Sequence, residues 1–578
     1  MVTPTLNQGP GVYIQELPNP VLPIVGVPTS VTAFYGQAPQ GTVNDPFQVN
    51  SWADYENEFG GLDADYPLSY AVYLFFLNGG STALIVRYDD GTAPASAKLS
   101  TDTTLVASSP GAWGGDLSAA MDTGSLYNTD PAVNPNINQF NLTITSTDGS
   151  SESYPGVNLV KGTANYLATQ LLSSRFVDVA ASTIGTTVPT IEAGKTVTVN
   201  FTLPAAAAAA GGDAAAGAGA AGAGGGDAAA GGAAAAGAGA AGAGGGDAAA
   251  GGAAAAGAGA AGAGDAAAGG DGGAGAAAPA DTTGSVGLGN SGNQSGIYAL
   301  LKADIFNILC LPVAPGTTYS QEDLGTAADF CASQRAMLII DPPPGWTDVP
   351  LGFGDVTGSK AALLSPSPNA AVYYPNLQLT DATGASFTAG PCGAVAGVWA
   401  ATDNTRGVWK APAGTAAAIS GIAGFTVQVD NGESGLLNSL GINTLRVMPA
   451  AGAVAWGART TVGIDQLPNQ WKYVPVRRIA LYIEESLRRG TLWAVFEPND
   501  EPLWSSLRLN VTTFMQGLFR QGAFAGTTPK DAYLVQCDAN NNPPDQVALG
   551  IVNILVGFAP LYPAEFVVIS IQQQALQD

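Results

Sequence analysis

The sequence predicts a multidomain protein that mixes α/β and α+β layers, and three observations carry that expectation. First, 578 residues exceed what one hydrophobic core supports. Second, strand–helix–strand patterns occur in two separated stretches, Thr29 to Tyr88 and Ile308 to Ile340, and that order marks an α/β layer. Third, the region between them is polar, strand-patterned and interrupted by an Ala/Gly/Asp tract. Five stretches follow: an extended N-terminal arm (1–28), an α/β segment (29–95), an outer β-rich region (96–290), a second α/β region (291–450) and a C-terminal core region (451–578) ending in a strand arm.

The elements follow in chain order. Val12 to Leu17 alternates like a strand between Pro10 and Pro18, and prolines 20, 23 and 28 continue an extended arm. Thr29 to Tyr35 reads as a buried strand. Tyr66 to Leu77 reads as a helix, with Pro67 in its first turn and Leu68, Val72, Phe75 and Phe76 on one face. Gly79-Gly80 stops it, and Ala83 to Tyr88 is the next strand. Strands are expected at Phe140 to Ser146 and Thr196 to Leu203 in the outer region. Residues 205–280 contain 20-residue copies around Asp227 and Asp247. Their side chains are too small to offset the entropy of ordering the backbone, so a disordered insert in a surface loop is expected. The α/β pattern resumes with a strand at Ile308 to Leu311, a helix at Gln321 to Gln334 and a strand at Ala336 to Ile340. A helix starting at Pro475 buries Val476, Ile479, Ala480, Ile483 and Leu487, with Gly490 placed to cap it. Another follows Asp500, aligning Leu503, Leu507, Val511, Phe514 and Leu518. Ile551 to Phe558 and Glu565 to Ile571 close the chain as strands.

Composition narrows the function. With 45 acidic against 20 basic residues the formal charge is −25, which disfavours nucleic acid and anionic membrane surfaces as partners. No histidine is present, which removes Ser/His and Cys/His nucleophile pairs and the commonest zinc ligand. Cys310, Cys331, Cys392 and Cys537 form no CxxC spacing and are expected to be buried thiols in a reducing compartment. The first residues show no secretory signal pattern, and Val547 to Ile571 is too interrupted to span a membrane. Synthesis in the cytoplasm is the expectation. Asp341 ends a parallel strand, where α/β enzymes place ligand groups, but three prolines follow and a structural turn is favoured. Gly79-Gly80-Ser81 joins helix to strand, the reverse of a phosphate cradle. No catalytic, cofactor or metal residue is assigned.

Two features point to assembly. The helix from Pro475 to Arg489 carries Arg477, Arg478, Glu484, Glu485, Arg488 and Arg489 on its expected exposed face. Glu484 with Arg488 and Glu485 with Arg489 are spaced for pairing within the helix, so the face is either self-paired or a docking surface. The chain ends carry isolated strands, Val12, Tyr13, Ile14, Gln15, Glu16, Leu17 and Phe566, Val567, Val568, Ile569, Ser570, Ile571. A lone strand must join a sheet, its own or a neighbour's.

Several segments resemble the tail sheath proteins of contractile phage tails and phage-derived injection machines. They are Gly9-Pro-Gly-Val-Tyr-Ile-Gln-Glu16, Gly26 to Gly36, Phe59-Gly-Gly-Leu62, Phe75 to Val86, Pro110-Gly-Ala-Trp-Gly114, Ser295 to Leu300, Phe306 to Pro312 and Ala370 to Pro375. Gly393-Ala-Val-Ala-Gly397, Arg406 to Pro412, Ile442 to Arg446, Trp456-Gly-Ala-Arg-Thr460, Trp493 to Asn499 and Pro563-Ala-Glu-Phe-Val567 continue the series. The resemblance implies a structural role with no enzymatic activity and no cofactor. It implies a sheath core with strand-donating terminal arms, copies of the chain stacked as six-fold rings around an inner tube protein, and baseplate and cap proteins at the ends. The particle would be a phage tail or a tail-like injection system. On that reading the basic helix, or the next one through Arg520, faces the tube. The alternative, a secreted or surface-layer adhesin, would share the acidity and the repeats but should show a signal peptide.

Overall fold

The computed structural model describes residues 23–88, 93–123, 139–192, 195–204, 287–313, 317–342, 346, 366–381, 383–465 and 468–566. Its centre is an eight-stranded sheet built from β1 (Thr32–Gly36), β2 (Phe47–Val49), β3 (Ala83–Arg87), β4 (Ile308–Cys310), β5 (Met337–Ile340), β6 (Ala370–Tyr374), β7 (Ile442–Met448) and β8 (Gly452–Ala455). The spatial order is β8-β7-β6-β5-β4-β1-β3-β2. The strands from β7 to β3 run parallel, while β8 and β2 are antiparallel to their neighbours at the two edges. Parallel sheets are covered on both faces, and the strand residues Thr-Ala-Phe-Tyr-Gly, Met-Leu-Ile-Ile and Ala-Ala-Val-Tyr-Tyr are buried along their whole length.

The helices that cover the sheet and follow it are α1 (Trp52–Phe59), α2 (Pro67–Leu77), α3 (Gln321–Ser333), α4 (Cys392–Arg406), α5 (Asn431–Ser439), α6 (Val474–Gly490) and α7 (Glu501–Arg520). Strand alternation sends Phe34, Ile85, Cys310, Ile339 and Tyr373 to one face, against α1, α2 and α4. Tyr35, Val86, Leu309, Leu338 and Val372 point to the other, against α3 and α5. Helix α2 is buried nearly all round, because α4 packs beside it on the same face of the sheet. A side chain at Gly393 or Gly397 would meet the carbonyl oxygens of Ala71 and Phe75 at 2.1 and 2.6 Å, so the Gly393-x-x-x-Gly397 face is what lets the helix axes approach. Trp399, two residues after Gly397, is fully buried and donates its indole N–H to Tyr373 Oη at 3.1 Å.

The stretch after β3 forms a separate four-stranded antiparallel sheet, ordered Ser151–Asn158, Gln139–Ser146, Leu117–Asp122 and Thr196–Asn200. Leu117, Ala119, Met121, Phe140, Leu142 and Ile144 fill its core. Buried Arg87 links it to the central sheet, donating to the carbonyls of Ala38, Gly41 and Pro110.

Three expectations need correction. Gly490 is the last residue of α6 and does not cap it; Thr491 does, at φ −107°. Glycine is needed at 490 because a Cβ there would lie 2.7 Å from the Ile24 side chain. The strand expected from Ile551 covers only Leu555–Phe558, since Asn541 and Asn542 hold the backbone of Asn553 with their side chains. Helix α6 does not present all its charges to solvent, as described below. The arm residues 1–22, the insert 205–280 and residues 567–578 lie outside the described residues. All four cysteines are free and buried. Among the described residues no helix is long and apolar enough to cross a membrane, and no acidic or cysteine cluster could hold a metal.

Candidate assembly surface

Helix α6 is the centre of the C-terminal region. Pro475 sits in its first turn, and Val474, Val476, Ile479, Ala480, Leu481 and Ile483 are buried. Its charges are mostly committed inside the chain. Arg478 is buried, clamps Asp403 of α4 with two hydrogen bonds of 2.6 and 2.8 Å, and lies 4.8 Å from the Trp399 ring centre. Burial pushes the Asp403 carboxyl up, and the guanidinium opposes that shift. Glu485 is buried as well and gathers Arg335, Arg488 and Arg489 at 3.4, 2.6 and 2.7 Å. The hydrogen bond from Arg488 is the largest influence on Glu485, and with Arg489 it overcomes burial and holds the carboxyl at about 2. Arg489 also pairs with Asp304 at 2.8 Å. Arg477 reaches Glu484 at 3.6 Å and stacks over Trp471. The expected Glu485–Arg489 pair is present, whereas Glu484 turns to Arg477 and Arg488 to Glu485. Arg520, at the end of α7, is exposed.

The described residues nearest both chain ends are anchored in this region. On the N-terminal side, Ile24 packs in the α6–α7 core, Val27 N–H donates to Ser486 Oγ at 3.2 Å, and Arg478 donates to the Thr29 carbonyl at 2.9 Å. On the C-terminal side, Glu565 is held by Arg459. That guanidinium is 1% exposed and donates to Glu565 through Nε at 2.7 Å, to Asp465 at 2.9 Å and to the Asn438 carbonyl at 2.8 Å. Tyr473 adds a hydroxyl donor to Glu565 at 3.2 Å. Burial disfavours the charged Glu565, but the hydrogen bond and charge of Arg459 outweigh it and leave the carboxyl below its ordinary range. Phe566, the next residue, is exposed.

Beside the two roots lies a two-stranded antiparallel ribbon, Tyr533–Gln536 with Leu555–Phe558. Tyr533, Val535, Val556 and Phe558 pack toward α7, while Leu534 and Leu555 are about half exposed on the other face. Among the described residues no third strand joins this ribbon. The sequence-predicted strand residues Val12 to Leu17 and Val567 to Ile571 lie outside the described residues, so only Phe566 of that set is placed. Sequence reasoning missed the Arg459–Glu565 and Arg478–Asp403 pairs. Arg459 and Glu565 both stand in segments quoted for the resemblance, which is the signal that could have paired them.

Family models match two consecutive parts of the chain. The phage tail sheath protein central domain covers residues 296–461 and the phage tail sheath C-terminal domain covers 466–574. The tail sheath protein of Enterobacteria phage T4 is 25% identical over 154 residues, which is 26% of this chain and 22% of the T4 protein. The aligned stretch therefore spans about a fifth of that relative. Two solved structures match nearly end to end at the level of fold. The PVC sheath complex of an extracellular contractile injection system, contracted, has TM-score 0.53 and 20% identity over 99% of each chain. The helical sheath of the anti-feeding prophage, also contracted, has TM-score 0.52 and 20% identity over 98% of this chain and 100% of that one. Tail sheath proteins are structural subunits and not enzymes, and with both domain matches in order along one chain, residues 296–574 carry the central and C-terminal domains of that family.

Proposed function

We propose that the chain is the subunit of a contractile sheath: copies stack as six-fold rings around an inner tube, and shortening of the cylinder drives the tube through a target envelope. The observation that supports it most directly is the anchoring of the described residues nearest the chain ends, Ile24 to Thr29 and Glu565. Each set is pinned to the C-terminal region, which also carries a ribbon that no third strand joins among the described residues. Strands Val12–Leu17 and Phe566–Ile571 would add to the ribbons of neighbouring subunits. Each main-chain hydrogen bond so made is worth about 0.5–1.5 kcal/mol net. Several per strand tether neighbours while the rigid sheet domains rotate. The assembled extended state is then metastable, with free energy released by forming further subunit contacts and no nucleotide consumed.

Within this reading the inner tube meets α7 near Arg520, because the α6 charges Arg477, Arg478, Glu484, Glu485, Arg488 and Arg489 are engaged internally. Tube, baseplate and cap proteins complete the particle, and deleting the 205–280 insert should leave contraction intact. The test is reconstitution of the full chain with its tube and baseplate, viewed by electron microscopy. Contractile cylinders are expected, and removing residues 1–18 should leave a folded subunit that builds none. A full chain that stays monomeric with those partners overturns the proposal.

A further inference from the structure

At one end of α7 the loop Leu492–Glu497 bares three apolar side chains in a row of six residues. Leu492 and Val495 are more than half exposed and Phe496 is wholly exposed. Phe496 also has φ +71°, a left-handed backbone that bulky residues avoid. The turn bonds Val495 N–H to Leu492 O and Glu497 N–H to Ala494 O hold the ring outward, and exposed Glu497 stands next to it. A strained turn that drives an aromatic ring into water has no benefit to the isolated subunit.

At the other end of α7, Gly522 borders a groove of about 790 Å³. Its walls include Trp409, Trp456 and Tyr562, the last two well exposed. Arg406 and Lys410 line it, and among the described residues neither makes an ion pair. Burial and the Arg406 charge pull the Lys410 ammonium below its ordinary range. Arg446 and the Glu565 carboxylate, itself bound to Arg459, complete the polar lining, so the groove keeps a cationic surplus beside its aromatic walls. The groove suits an aromatic ring followed by a carboxylate.

We propose that the Leu492–Glu497 loop of one subunit docks in the Arg406–Lys410 groove of a second copy, Phe496 between the aromatic walls and the Glu497 carboxylate against the two cations. The loop cannot fill its own groove, because the 20 residues of α7 hold them about 30 Å apart. Knob and groove at opposite ends of one rigid helix make a head-to-tail contact, which propagates into rings or helical arrays instead of closing a dimer. The inference rests on the reading that the chain self-assembles, and it adds which surfaces meet.

Charge reversal and restoration in the full chain test it. Glu497→Lys alone, and Arg406→Glu with Lys410→Glu alone, should each lower sedimentable assembly at least tenfold, and the three changes together should restore it. Phe496→Ala should lower assembly while leaving the subunit's melting temperature unchanged. In parallel, Glu497→Cys with Lys410→Cys and a short thiol cross-linker should give a ladder of multimers, since the native cysteines are buried. Normal assembly of either single-sided reversal, or loss without restoration by the combined variant, overturns the contact. So does capture of the groove cysteine by the tube protein or by the chain's own C-terminal segment. A ladder without tubular sheaths supports the contact and sinks the sheath reading; sheaths without a ladder do the reverse.

Discussion

The central sheet and the C-terminal ribbon are both β structure packed on helices, yet they treat their apolar side chains in opposite ways. In the sheet, Leu309, Leu338 and Ile339 are fully buried between two helical layers. On the ribbon, Leu534 and Leu555 are about half exposed, and in the loop before α7 Leu492 and Val495 are more than half exposed and Phe496 wholly so. Burial of apolar area contributes roughly 25 cal/mol per Å², so the sheet accounts for subunit stability. The ribbon's outward side chains contribute little to it, and exposed apolar side chains of that kind suit an assembly interface.

The largest effect should come from the sheet side. Trp399→Ala should cost about 3–5 kcal/mol in urea denaturation, as large aromatic truncations in cores do. It removes a fully buried ring that also contacts Arg478 and Tyr373. Survival of the variant with near-native stability would break the comparison.

Glu565→Gln should come next, at about 3 kcal/mol, the low end for breaking a buried pair because Asp465 still faces Arg459. The pH dependence has a defined sign. A carboxyl held below its unfolded value of 4.5 stabilises the fold fully above that value and loses its contribution as pH falls through the folded value. Wild type should therefore lose stability on acidification through this window, and Glu565→Gln should show a smaller loss.

Asp341 has the reverse sign. Burial raises its carboxyl to about 7 against the hydrogen bonds of Cys392, and its Oδ2 has no hydrogen-bond partner among the described residues. Its favourable state is the protonated one, present below 3.8 and lost as pH rises through about 7. Asp341→Asn should keep the bond from Cys392 N–H and stabilise the subunit at pH 8 by about 1–3 kcal/mol, because it removes a buried negative charge. Thermal melts at pH 5 and pH 8 would show whether the gain is confined to the higher pH.

Leu534→Ser with Leu555→Ser should shift subunit stability by no more than about 0.5 kcal/mol, as surface changes do. The same pair should reduce sheath assembly measured by sedimentation. A large loss of subunit stability instead would return the ribbon to the interior class and dissolve the contrast.

The elements that sequence alone determined are those whose causes are local. Helices Pro67–Leu77 and Gln321–Ser333 and strands Thr32–Gly36 and Met337–Ile340 follow from side-chain period and from Pro and Gly at their ends, within about three residues. Tertiary structure decided what depends on partners distant along the chain. β1 lies between β3 and β4, the latter some 270 residues away, and no periodicity encodes that order. The charges of α6 make the point residue by residue. Arg478 and Arg488 look alike in the sequence, but Asp403 and the Thr29 carbonyl arrive to bury the first, while the second keeps its head at the surface beside Glu485. A helix period states which residues share a face. Whether that face meets water or another segment is settled by which segment folds against it, because a guanidinium can be buried only where a carboxylate and carbonyl oxygens replace its water.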